Sequence, residues 1–522
     1  MPVTTERFLD AYTVGELDEF FDCSRPPATA APAPAGSRPR AELAAALRSE
    51  AERLGAHERV LALVDRLAHP ASAAIVTGQQ AGLLLGPTYT LSKAFTARRL
   101  AERLDSETAP AVPVSWLASQ DHDTGEVDHA WLLDFDERLQ RVSVQLPADV
   151  PTGQIPFDRA WLTQLLDQLR QGRWQAESLE QVEGQLHQAA EVADSWADFF
   201  AACLYRVLGP AAPLILDPGR PDLAPLFNGV LASEIDDPLT GVEAINAAGA
   251  RLSRLGFSPQ LGRARGATNL FISTVRDGLP RRELLRFDGS SFFTAHARYS
   301  RADLHAMLDS EPGRLTPAAG LRPISQDAVL PTAAFVVGPG ELRYLAQLRD
   351  VYRQHQVRQP TIWPRADVTV LEPSTARILA QLGLDAAAYQ ADPAAAESRI
   401  LLERSGAARR FSDGLAGLRS TQAAMNSALK ELEPTLQGAV DRHAERVAHS
   451  IRILEQKTAA AVRRKEQVLS RQFTRLRAQL LPNGSLQERV LSPFSFFLKF
   501  GTEPVIRQFG QLEESGRQQL EL

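Results

Sequence analysis

Cysteine is nearly absent. Cys23 and Cys203 are the only two in 522 residues, too few for a disulfide framework or a thiolate metal site, which suits a reducing cytosol. Long apolar runs are missing as well. No stretch approaches the roughly 18 residues that span a bilayer. The N-terminal MPVTTERFLDAYTVGELDEFF carries acidic residues where a secretory leader is basic and then apolar. A cytoplasmic protein without a membrane partner is expected. Nor is there an excess of positive charge: a formal net charge of −6 gives no electrostatic case for nucleic acid. What 522 residues at 44% hydrophobic content do allow is a large core and two or three structural units.

Lysine is scarce too. Arginine supplies nearly all the positive charge, and lysine stands only at Lys93, Lys430, Lys457, Lys465 and Lys499. Lys93 is therefore alone in the first 429 residues. Lysine is a compact point charge that reaches a phosphate or carboxylate, or shifts its pKa when buried; the plainer reading is a surface lysine on a helix. Lys93 closes the stretch VTGQQAGLLLGPTYTLSK, Val76 to Lys93. There Gly78, Gly82 and Gly86 would let the backbone approach a ligand or adopt positive φ. Loop amides ahead of a helix favour an anion, and Gln79 and Gln80 add donors and acceptors. The spacing is neither a Walker A loop nor a G-x-G-x-x-G fingerprint, so a tight connection packed on a sheet is the alternative.

The surrounding pattern is strand, glycine loop, helix, strand: ASAAIVTG, then TLSKAFTARRLAERL, then APAVPVSWLAS. That is a βαβ unit of a parallel sheet, whose ligands sit at the carboxyl ends of the strands. Further strands are expected at Pro213–Asp217, Thr268–Val275, Glu283–Gly289 and Thr332–Glu341, with one more in PTIWPRADVTVLEP. The middle two, joined by RDGLPRR, read as a hairpin inserted into the core. SRPPATAAPAPAGSRPR (Ser24–Arg40) reads as a Pro/Ala linker. Heptad spacing then places Val440, Val447, Leu454, Ala461 and Val468 on one seam with Ile451. A single helix from Pro434 to Leu481 would run roughly 70 Å and needs a partner: the preceding helix, a second subunit, or both. The expected organisation is residues 1–40 as N-terminal segment and linker, and 41–395 as an α/β core with insertions at about 217–330. Residues 396–484 follow as a helical coiled coil, and 485–522 as a segment docking back on the core.

The second polar cluster, WLASQDHDTGEVDHAWL, crowds Asp121, His122, Asp123, Glu126, Asp128 and His129 at a strand end, directly after Trp116. His122 between two carboxylates suits proton transfer or contact with a substrate amine. His122, Asp123, Glu126 and His129 are also an alternative donor set for a metal-dependent hydrolase, although the spacing is not H-E-x-x-H. A solvated acidic turn is the bland reading. A third constellation holds Arg322, Gln326 and Asp327, then Gly338, Gly340, Glu341 and Tyr344, with Arg365 as a candidate carboxylate fork.

Together VTGQQAGLLLGPTYTLSKA, PVSWLASQDHDTGEVDH, LRPISQDAVLPTAAFVVGPGELRYLAQL, WPRADVTVLE and LPNGSLQER, spread from about residue 75 to 489, resemble one family. It is the bacillithiol biosynthesis cysteine-adding enzymes, named as cysteine ligases. The resemblance implies an α/β fold: a Rossmann-type parallel-sheet core with connecting-peptide insertions, plus a long helical coiled coil through which a homodimer forms. The implied partners are L-cysteine and glucosaminyl malate, joined through an amide to give bacillithiol, with ATP or another donor as the energy source and no metal. On this reading Lys93, Asp121, His122 and Asp123 are catalytic. Gly78, Gln79, Gln80, Gly82, Gly86, Tyr89, Trp116, Glu126, Gly340, Glu341 and Arg365 bind substrate, with Arg365 on the malate carboxylate. In LPNGSLQER, Asn483 and Arg489 are candidates for a second, nucleotide site between coil and core, the plainer reading of that segment being a helix stop. The family's more usual glutamate is Gln120 here, and the usual asparagine is Asp128.

Overall fold

The computed structural model describes residues 5–23 and 38–522; residues 24–37, most of the expected Pro/Ala linker, lie outside them. The chain divides into two compact units, one comprising residues up to Val368 together with Glu488–Leu520, the other Thr369–Gln487. The division falls earlier than the 395/396 boundary expected from composition. The physical reason is packing: Ile378, Leu379 and Tyr389, just after the last core strands, bury against Leu469, Phe473 and Leu476 of the helical unit.

The first unit is built on five parallel strands. They are β1 (Ala73–Gln79), β2 (Ala111–Leu117), β3 (Leu214–Leu216), and two that follow a second sheet, β7 (Thr332–Val337) and β8 (Thr361–Pro364). Their order is β8-β7-β1-β2-β3, each neighbour parallel. Nearly every residue of β2 and β7 is buried, as expected for strands covered on both faces. The chain runs from β1 outward to β3, then returns to the other side of β1 for β7 and β8. A topological switch point therefore lies between β1 and β7, where an open α/β sheet leaves a crevice at its carboxyl edge. The helix α1 (Tyr89–Leu104) crosses from β1 to β2.

The expected insertion is a second, antiparallel sheet, in which β6 (Leu315–Pro317), β4 (Ala267–Arg276) and β5 (Leu279–Phe287) lie side by side. Its hairpin turns on Asp277 and Gly278, both at positive φ (53° and 75°), the geometry that matches strand twist in two-residue hairpins. Only those two residues form the turn, so most of RDGLPRR belongs to the strands themselves. The C-terminal stretch also belongs to this unit, with Phe494, Phe496, Phe497 and Leu498 fully buried.

The helical unit corrects one expectation. The long helix is not continuous from Pro434 to Leu481: α-helices span Gln437–Lys465 and Gln467–Leu480, broken at Glu466, where ψ is 75°. The second piece buries Leu469, Phe473, Leu476 and Leu480, a stripe rotated from the heptad row. In the long piece Ala444 and Ala459 are buried. Of the heptad row, Val447, Leu454 and Val468 are 46%, 57% and 69% exposed.

Candidate active site

The stretch after β1 is not a phosphate cradle. Leu83, Leu84 and Leu85 turn inward and are buried. Leu84 and Leu85 take left-handed φ of 49° and 64°, followed by Gly86 at φ 64°, ψ −150°, a combination open essentially to glycine. A Cβ on Gly82 would stand 3.0 Å from the Gly86 Cα, so these two glycines let the loop cross itself. Several of its N–H groups are used within the protein: Gly82 N–H donates to Gln80 O, Leu83 N–H to Val127 O, Gly86 N–H to Leu83 O and Thr88 N–H to Leu491 O. Its carbonyls accept from Trp196 Nε1, Ser492 Oγ and Thr90 Oγ1. Gly82 and Gly86 thus serve the loop's own crossing, and neither lines the cavity that opens at the switch point. Glycine spacing signals positive φ and close approach, and the close approach here is between the loop's own backbone segments.

A cavity of about 470 Å³ opens instead at the switch point. It gathers Gly78, Gln79, Gln80, Tyr89, Lys93, Trp116, Asp121, His122, Gly340, Glu341, Arg365 and Arg489. Asp123, Glu126 and Asn483 are not among its walls. Asp123 is exposed. Glu126 accepts from Gln80 Nε2 at 2.9 Å, the same amide group that donates to Asp121 Oδ2 at 2.8 Å. Asn483 sits in the turn Pro482–Gly484 at φ 52° and belongs to the helical unit, whereas Arg489 belongs to the sheet unit.

Lys93 is no surface lysine. It is 6% exposed, and its Nζ lies 2.6 Å from Glu341 Oε2 and donates to Gly78 O at 2.8 Å. Burial pushes its pKa down, against the pull of Glu341. Glu341 Oε2 also accepts from Gly338 N–H at 2.7 Å. Lys93 thus ties the ends of β1 and β7 across the switch point. Arg365, 5% exposed, presents its fork to Glu488 at 2.7 and 2.5 Å, with Ala366 O and Asp367 on the same nitrogen. The expectation that this fork clamps a substrate carboxylate is corrected, since Glu488 occupies that edge. Only Nε is without a partner.

His122 does not form the expected charge-stabilised triple. Asp121 Oδ1 accepts from the Asp123 backbone and Oδ2 from Gln80, while His122 packs edge-on to Phe271 (5.8 Å between ring centroids) with Nδ1 unpartnered. His129 instead pairs with Asp128 at 2.8 Å. The donor set of the metal-hydrolase alternative is therefore dispersed, and among the described residues no three His, Cys, Asp or Glu side chains are placed to hold a metal ion.

Two residues of the inserted sheet went unnoticed in the sequence. Arg282 enters the cavity from β5, its guanidinium 4.3 Å from the Phe271 ring centroid. It donates to Gln120 O at 2.6 Å, Pro317 O at 3.1 Å and Thr316 Oγ1 at 3.1 Å. Burial lowers its pKa to about 10. Registry pairs Phe271 with Leu284 and Ser273 with Arg282, making Phe271 and Arg282 diagonal neighbours on one face. An arginine within a strand that precedes buried Leu285 was the one available signal. Arg322, on the helix Arg322–Val329, lies over Trp116 and Phe335 and donates to Gln326 Oε1 and Tyr344 OH.

The walls therefore carry five cations, Lys93, Arg282, Arg322, Arg365 and Arg489, against two carboxylates, Asp121 and Glu341. Glu488 and Asp367 stand behind Arg365 and reduce that excess to one. The arrangement suits an anionic ligand, held by side chains, beside an imidazole whose buried Nδ1 has no hydrogen-bond partner.

Comparison with known proteins agrees in both units. Residues 6–366 match the family model for the bacillithiol biosynthesis BshC N-terminal Rossmann-like domain, and residues 368–519 match that for its C-terminal coiled-coil domain. A Thermus thermophilus protein is 39% identical over 468 residues, covering 89% of this chain and 91% of its own. One from Symbiobacterium thermophilum is 32% identical, covering 90% and 87%, and one from Geobacillus thermodenitrificans is 29% identical, covering 88% and 86%. All three carry the provisional name cysteine ligase BshC.

Proposed function

The chain belongs to the BshC family of bacillithiol biosynthesis proteins, and on that premise we propose that it is a ligase joining the carboxyl of L-cysteine to the amine of glucosaminyl malate. The observation that carries this reading is the cavity itself: cationic walls at the switch point of a Rossmann-type sheet, with the His122 Nδ1 unpartnered beside them. Glucosaminyl malate is an acid with an amine at its other end, so it needs cations to hold it and a base to free the nucleophile.

His122 takes a proton from the attacking ammonium, the freed amine adds to the activated cysteine carbonyl carbon, and the C–O bond to the leaving group breaks as the C–N bond forms, the nitrogen's second proton going to the departing phosphate-bearing group. Asp121 and Gln80 hold the loop that carries the imidazole. A free carboxylate is a poor acyl donor, and ATP is proposed as the co-substrate that supplies the leaving group. With Gly82, Leu83, Gly86 and Thr88 N–H already hydrogen-bonded, its phosphates would rest on the arginine side chains. The heptad row exposed on the helical unit is proposed as the seam of a homodimer.

The test is to incubate the purified protein with cysteine, glucosaminyl malate and ATP while following product mass. His122→Ala is expected to lower turnover about 10²–10⁴-fold with an unchanged melting temperature. Wild-type turnover in that variant removes His122 from the chemistry, and the absence of adduct with every nucleoside triphosphate removes the ligase reading.

A further inference from the structure

The short helix Gln487–Val490 places two consecutive side chains to different ends. Glu488 turns inward, accepting from both terminal nitrogens of Arg365 and from Val368 N–H. Arg489 lines the cavity. Of the five cations there, it alone makes no hydrogen bond or ion pair among the described residues, whereas Lys93, Arg282, Arg322 and Arg365 are each engaged.

The Glu488 contact leaves Arg365 in an unusual state. Its charge is compensated, its terminal nitrogens are occupied, and its Nε–H is buried without an acceptor. A buried guanidinium N–H left unmatched carries a desolvation penalty and favours any acceptor that reaches it. The buried Nε lies 3.8 Å from where a Cβ on Gly338 would stand, and both Gly338 and Arg365 line the cavity. Tyr89 lies alongside, its ring 5.5 Å from the Arg365 guanidinium and 5.7 Å from Lys93 Nζ.

We propose that Arg489 and the Arg365 Nε–H form an anion subsite for the carboxylate end of the acceptor substrate, one oxygen accepting from the buried Nε–H and the other facing the unpaired Arg489 guanidinium. The subsite fixes the direction of binding: acid at the Arg365–Arg489 end and amine toward His122. It rests on the ligase reading only for the identity of the acid. Any small carboxylate meets the same two donors, so malate alone is a sufficient probe.

The experiment is calorimetric titration of malate into the full-length wild-type protein, Arg489→Ala and Arg489→Lys, paired with KM for glucosaminyl malate. Arg489 is exposed, so its substitution leaves the fold intact, which circular dichroism verifies. Malate affinity is expected to fall at least tenfold in Arg489→Ala and to recover partly in Arg489→Lys, with KM rising in parallel and kcat changing less. Absent malate binding to the wild-type protein, or equal binding to Arg489→Ala, overturns the subsite. If no cysteine adduct forms while malate still binds in an Arg489-dependent way, the ligase reading falls and the subsite stands. If adduct forms with an unchanged KM in Arg489→Ala, the subsite falls and the ligase reading stands.

Discussion

Replacing Asp217 with asparagine removes a buried charge while leaving its hydrogen bonds in place. Asp217 follows β3 and anchors the β2 loop that leads to His122: its Oδ1 accepts from Ser119 Oγ–H and from Gly219 N–H at 2.8 Å. Burial raises its pKa from 3.8 to about 6, helped by the nearby Asp198 and Glu50 carboxylates. The folded state therefore holds this proton more tightly than the unfolded chain does. The associated stability is fully present below pH 3.8, is lost as pH rises through about 6, and stays lost above it. A displacement from 3.8 to about 6 corresponds to about 3 kcal/mol. In Asp217→Asn the amide oxygen keeps both donors, and the NH₂ takes the place of Oδ2 at a cost of about 1–3 kcal/mol for a buried donor without a partner. The variant should then match or exceed wild-type stability at pH 7 by up to about 2 kcal/mol. As pH falls toward 4 the comparison should move against the variant by about 2.4 kcal/mol. Guanidinium unfolding between pH 4 and 7.5, followed by fluorescence of the buried Trp116 and Trp196, reads this directly. Stability–pH curves that stay parallel for the two proteins would refute the reasoning.

Lys93→Met strips Glu341 and the Gly78 carbonyl of a partner. Breaking a buried pair costs about 3–5 kcal/mol, but Glu341 is 22% exposed and keeps Gly338 N–H, so about 2–3 kcal/mol is expected; urea unfolding should show Glu341→Gln restoring part of it. Leu454→Glu on the exposed heptad row should turn a dimer to monomer in sedimentation velocity and make the melting temperature independent of protein concentration; an unchanged sedimentation coefficient argues against that seam.

The sheet and its carboxyl edge were legible because they are local. Seven residues such as Ala73–Gln79 and the helix that follows declare their periodicity within one window, and parallel order follows from the βαβ connection. What periodicity missed is pairing over long separations. Glu488 lies 123 residues from Arg365 and Arg282 lies 162 from Gln120, and no local pattern says that an arginine fork already has its carboxylate. The same limit explains the glycine loop. Positive φ at Gly86 serves an inward-turning connection as well as a ligand cradle, and only the destinations of its amides tell the two apart. The helical unit failed differently: the heptad row was real, but the stripe Leu469, Phe473 and Leu476 competes with it, and tertiary packing won at Glu466.

The solitary lysine of the first 429 residues now has a physical account. In a chain that otherwise uses arginine, its place between Glu341 Oε2 and Gly78 O demands a cation with few donors and a small head. An arginine there would bring five N–H groups and a planar fork into a space 6% exposed. At least two of them would lack acceptors. Ammonium satisfies the two oxygens that join β1 to β7. On the proposed subsite the division of labour is between a lysine that closes the switch point and arginines that meet the ligand. That is why the residue singled out by composition is better understood as what holds the site in shape than as the group that grips the substrate.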